Sequence, residues 1–122
     1  MPKLVFPWLP NQAAMQSFEQ NADAITHISP TGLSIAADGS LKRAEQPDID
    51  AVHRIAREKG IKCIPLVANE GFRADSAAAI VCDPARRREV ADLLCVLVVE
   101  NDWDGINLDF EGAWAFRSEY AA

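Results

Sequence analysis

Short runs rich in β-branched and apolar residues alternate along this chain with longer segments of helical spacing, and that alternation restricts the fold to one assembled from βαβ units. Residues 4–8 read as a first strand, 11–21 as a helix and 24–29 as a second strand. Ser34, Ile35 and Ala36 on one side and Leu41 on the other flank Asp38-Gly39, a two-residue turn signal, so a small β-hairpin is expected to decorate the fold after strand two. Ile49, Val52, Ile55 and Ala56 then fall on one helical face, with Pro47 and Asp48 suited to its start and Gly60 to its end. Residues 62–68 are apolar on both faces, as a parallel strand covered on both sides must be, although Pro65 removes one ladder donor. Asp83-Pro84 opens a helix that runs to about residue 100, and residues 104–111 form a fourth strand. No internal repeat, linker or low-complexity segment interrupts the series.

The chemistry concentrates in that fourth strand, Asp104-Gly105-Ile106-Asn107-Leu108-Asp109-Phe110-Glu111-Gly112. Alternate side chains of a strand share a face, so Asn107, Asp109 and Glu111 point one way and Ile106, Leu108 and Phe110 the other. In a (β/α) barrel the apolar stripe meets the helices, while the polar stripe faces the interior and rises toward the C-terminal rim, where such folds keep their active sites. Two carboxylates crowded into a low-dielectric interior cannot both ionise easily, which makes one a proton donor near neutral pH. Glu111, nearest the rim, is the expected donor.

The residues Asp104-Gly105-x-Asn107-x-Asp109-x-Glu111 resemble the fourth-strand signature DGxDxDxE of glycoside hydrolase family 18, the family of many chitinases. Ile25-Thr26-His27-Ile28 resembles the family's second strand. The run Lys62-Cys63-Ile64-Pro65-Leu66-Val67 and the Asn107 variant resemble its spore-germination and cortex-lytic branch more than ordinary chitinases. The resemblance covers nearly the whole chain and about half of the family's domain. It implies an α/β fold, the N-terminal half of a (β/α)8 TIM barrel with about four βα units, so that residues 1–122 form a partial, truncated hydrolase domain. It also implies a retaining, substrate-assisted hydrolysis of glycans bearing N-acetylhexosamine, of the chitin or peptidoglycan type, with no cofactor. Glu111 would protonate the leaving oxygen and later activate water. Asp109 would orient the acetamido group, whose carbonyl oxygen attacks the anomeric carbon. Asn107 stands where the family has an Asp, so it can hydrogen-bond Asp109 without sharing its charge.

Charge and composition exclude other classes. A net charge of −6 and a pI near 4.8 oppose a grip on phosphate backbones, so nucleic acid is not an expected partner. Arg86-Arg87-Arg88 is followed by Glu89 and reads as a solvated helix face. No apolar run reaches the about 18 residues of a membrane span, and residues 1–8 lack the features of a signal peptide, so a soluble, unexported chain is expected. Cys63, Cys82 and Cys95 are odd in number with no CxxC spacing, which indicates neither a disulfide framework nor a zinc cluster. Cys63 and Cys95 sit among aliphatic residues and are expected to act as small apolar filler.

Weaker rim candidates are Trp8 and Phe72, which can stack on a pyranose ring, and Asn69 and Glu70, which follow strand three where barrel loops bind ligands. The competing readings are ordinary packing for the aromatics and a solvated loop for Asn69 and Glu70. His27 is expected to be a hydrogen-bonded interior histidine, and His53 lies on a surface helix. Two alternatives of other classes stay open: a noncatalytic sugar-binding barrel fragment, and a divalent-cation site formed by Asp104, Asp109 and Glu111, against which strand parity counts. A full barrel takes roughly 250 residues, so a 122-residue chain is expected to be inactive alone and to self-associate through its open edges.

Overall fold

The computed structural model describes residues 3–121; Met1, Pro2 and Ala122 lie outside it. Its elements in order are β1 (Trp8–Leu9), α1 (Met15–Asn21), β2 (His27–Pro30), β3 (Leu33–Ile35), β4 (Leu41–Arg43), α2 (Ile49–Lys59), β5 (Lys62–Cys63), β6 (Leu66–Asn69), α3 (Ala74–Val81), α4 (Pro84–Asn101), β7 (Asn107–Asp109) and α5 (Arg117–Tyr120). Single 3-10 turns occupy residues 12–14, 22–24, 70–72 and 113–116.

Four strand positions follow one another in parallel. β1 pairs with β2, β2 with β5, β3 with β6, and β6 with β7. Positions two and three are each broken by a residue that lacks an N–H, Pro30 before the Gly32 bend and Pro65 between β5 and β6. The ladder resumes beyond each break. β3 therefore continues strand two, in register with β6 from Leu33↔Val67 to Ile35↔Asn69. This corrects the expectation that the hairpin only decorates the fold: its first arm belongs to the parallel sheet, and only β4, antiparallel to β3, is added. Strand one is shorter than expected because Pro7 lacks a donor, yet the Val5 and Pro7 carbonyls still accept from Thr26, His27 and Ser29.

The helices stop and start where their caps require. One carboxylate oxygen of Asp48 accepts from the Asp50 and Ala51 amides, and Gly60 closes α2 in the left-handed conformation at φ 69°. Asp83 caps α4 in the same way, with Pro84 next to it. Helix α3 was not marked by periodicity, because eight alanine-rich residues are too few to display it. One core packs Ile28 and Cys63 against Phe18 of α1 and Val52 of α2; the other packs Leu33 and Val67 against Ile80, Val90 and Leu94 of α3 and α4.

Cys63 is buried as expected, whereas Cys95 is exposed, one residue beyond Leu94 and turned from the face that α4 buries. The three arginines are also not one solvated face. Arg86 donates to the Asp38 carbonyl of the hairpin turn and Arg87 to the Val81 carbonyl at the end of α3, leaving Arg88 to pair with Asp92. No helix among the described residues is long and apolar enough to cross a membrane.

Candidate active site

The sheet curls toward the face that carries the polar stripe. The Asn107 amide donates to the Ser29 hydroxyl at 3.1 Å, although β7 and β2 are separated by the whole of strand three. Adjacent strands lie about 4.8 Å apart, so two side chains meet across an intervening strand only on a concave surface. Asn107 thus spends its amide nitrogen on Ser29, a contact its place beside Asp109 in the sequence does not indicate. Ser29 is fully buried and is the register partner of Trp8, which places Trp8 on the same concave face. Phe6 and His27 pack there as tilted rings, 54° apart in plane with centroids 5.5 Å apart, and His27 Nδ1 lies 2.9 Å from the Thr26 hydroxyl.

Asp109 follows Asn107 on this face by strand alternation and is partly buried. Leu108 and Phe110 line the opposite side against α3 and α4, so the alternation persists to the end of the signature. Glu111 lies just beyond β7 with its side chain exposed. The enclosed, low-dielectric setting expected for it is absent, because only four strand positions surround the concave face.

Main-chain placement of Glu111 is specific. Its N–H donates to Asn69 Oδ1 at 2.8 Å and its carbonyl accepts from Asn69 Nδ2 at 3.1 Å. Asn69 is 1% exposed, so it is neither part of a solvated loop nor open to a ligand. Its Nδ2 also reaches the Arg73 carbonyl at 2.8 Å and the Ser76 hydroxyl at 3.1 Å. Glu70 is engaged as well: its carboxylate pairs with the Lys42 ammonium of β4, which holds the lysine above its ordinary pKa. Phe72 stays half exposed, with φ 53°, on the segment that carries these contacts.

At the other end of the strand, Asp104 Oδ2 accepts from the Cys63 amide at 2.9 Å, and the Asp104 amide donates to the Cys63 carbonyl at 3.0 Å. Asp104 is therefore a structural rung. Among the described residues no three His, Cys, Asp or Glu side chains converge to hold a metal ion, so Asp104, Asp109 and Glu111 do not form the cation site considered above. His53, expected to be idle, has Nε2 at 3.1 Å from the Asp102 carbonyl, which can only accept. Sequence reasoning missed Ser29, whose type carries no motif, and Trp114, the most exposed large apolar side chain among the described residues at 83%, three residues past Glu111.

No family model matches the chain, and neither does any curated protein. Solved structures do. A chitinase from Chromobacterium violaceum superposes with a TM-score of 0.85 at 19% identity, over 97% of this chain and 38% of its own. The spore cortex-lytic enzyme SleL of Bacillus cereus matches at 0.81 and 17% identity, over 96% of this chain and 30% of its own. The chitinase ChiB of Flavobacterium johnsoniae, of glycoside hydrolase family 18, matches at 0.71 and 19% identity, over 88% and 36%. The likeness is one of fold. This chain spans between 30% and 38% of the lengths of these structures.

Proposed function

We propose that the chain is the N-terminal half of a (β/α)8 barrel and carries the acid–base centre of a glycoside hydrolase acting on N-acetylhexosamine glycans of the chitin or peptidoglycan type. The observation that supports this best is the placement of Asp109 and Glu111 at the C-terminal end of the fourth parallel strand, on a sheet whose concavity the Asn107–Ser29 bond fixes. Fold likeness to chitinases and to a cortex-lytic enzyme agrees with it.

In this reading Glu111 donates its proton to the glycosidic oxygen while the acetamido carbonyl oxygen of the same sugar attacks the anomeric carbon. Asp109 holds the acetamido N–H and stabilises the positive charge that develops on it. Glu111, now ionised, takes a proton from the water that opens the cyclic intermediate. No enzyme nucleophile is required. Trp8 and Trp114 offer exposed ring faces for pyranose stacking. Proton transfer of this kind contributes about 10²–10⁴-fold, so substrate positioning supplies the rest of the rate. Such positioning needs both walls of the cleft. The chain alone, with Glu111 open to water, is accordingly expected to bind oligosaccharide without turning it over, and activity is expected once the remaining βα units complete the barrel.

The test is the anomeric configuration of the first product. Proton NMR on N-acetylglucosamine oligomers cleaved by the completed barrel is expected to show the β-anomer before mutarotation, and no cleavage of oligomers lacking the acetamido group. An initial α-anomer, or equal cleavage of both substrates, would contradict the reading.

A further inference from the structure

We propose that residues 69–76, from the last residue of β6 into the first turn of α3, are the seat of the proton donor, with Asn69 as its positioning residue; this rests on Glu111 being that donor. Asn69 presents one acceptor and two hydrogens, and with them it takes both the N–H and the carbonyl of Glu111. An amide held this way fixes the Glu111 peptide planes on either side of Cα, and so the direction in which the side chain leaves the main chain. Asn69 is itself fixed. Its two amide hydrogens are shared among the Glu111 carbonyl, the Arg73 carbonyl and the Ser76 hydroxyl, and the single hydroxyl hydrogen of Ser76, a residue 5% exposed, is shared between the Glu70 and Arg73 carbonyls at 2.8 and 2.9 Å.

The residue after the donor rests on the same segment. Gly112 has φ 75°, and a Cβ placed on it would come within 2.8 Å of Ala74 Cα and 2.9 Å of Ala74 N. Those atoms are main chain and cannot turn aside, so position 112 accepts only glycine. Hydrogen bonds from Asn69 before it and close contact with Ala74 after it leave the Glu111–Gly112 peptide little freedom. The arrangement explains why a side chain at a ligand-binding rim is wholly buried: Asn69 serves the substrate through Glu111.

Two measurements on the chain as it stands and one on turnover test this. A hydrogen-bond scalar coupling in a long-range HNCO experiment is expected between the Glu111 amide and the side-chain carbonyl carbon of Asn69; its absence in a folded sample would overturn the inference without any substitution. Asn69→Ala is expected to speed exchange of the Glu111 amide by about tenfold or more while the Val67 and Leu108 amides change by less than about twofold. A uniform rise across the ladder would mean that Asn69 only stabilises the fold. In the completed barrel, Asn69→Ala is expected to lower kcat by about 10²-fold with KM nearly unchanged, as a misplaced acid does. Loss of turnover in Glu111→Gln with full turnover in Asn69→Ala would overturn this inference and leave the proposed function standing. Full turnover in Glu111→Gln would instead remove the donor.

Discussion

Ser29 and Asn107 come from strands two and four and meet on the concave face that also carries Asp109. Asn107→Asp would place a negative charge one turn of the pleat from Asp109, and like charges favour the protonated form. The acidic limb of the pH–rate profile of the completed barrel is therefore expected to move to higher pH; an unchanged limb would show that position 107 is uncoupled from the site. A second titration belongs to the core. Burial, with the Asp104 charge adding to it, pushes the Cys63 thiol from 9.0 up to about 12. Because the folded value exceeds the unfolded one, the stability linked to this thiol is complete below pH 9 and is lost as pH rises from about 9 toward 12. Alkylation by iodoacetamide at pH 8 is expected at Cys82 and Cys95, both exposed, with Cys63 unmodified until the chain unfolds. Equal labelling of the three would contradict the buried placement.

Strand four is closed onto strand three at both ends by polar side chains standing in for ladder partners. Asp104 accepts from the Cys63 N–H with its carboxylate and donates to the Cys63 carbonyl with its own amide, whereas Asn69 takes both main-chain groups of Glu111 with its side chain. Asp104→Ala leaves the Cys63 N–H without its acceptor in a partly buried place, and is expected to cost about 1–3 kcal/mol. Urea unfolding monitored by tryptophan fluorescence measures it, and an unmoved midpoint would show that water replaces the carboxylate at no cost. Neither clamp could be read from the sequence. Asp104 and Asn69 are ordinary strand-end residues until the register of strands three and four is known, and register is a tertiary property. The elements themselves were legible wherever a local device marks them, as with Asp48 and Gly60 at the ends of α2 or Asp83-Pro84 at the start of α4. Where proline cut the ladder, at Pro30 and Pro65, local pattern placed the strand but not its break or its resumption.

For the molecule as a whole, period-2 and period-3.6 patterning carried the parallel order of four strands, because each strand could be assigned from its own residues and βα connections of this kind run in one hand. The curl of the sheet was not legible. It shows itself only where Ser29, a small residue with no signature, meets Asn107 across strand three. Legibility of the site divides along the same line: Asp109 and Glu111 could be proposed from their spacing and from the family resemblance, whereas the contacts of Glu111 with residues 69–76 come from parts of the chain about 40 positions away. The central claim is that Glu111 is the proton donor, and the most direct measurement is the turnover of N-acetylglucosamine oligomers by the completed barrel and by its Glu111→Gln variant, with affinity measured in parallel by calorimetry. The isosteric amide cannot give up a proton but fills the same space, so turnover is expected to fall by at least about 10²-fold with affinity changed by less than about threefold. Turnover retained at the wild-type rate would contradict the account.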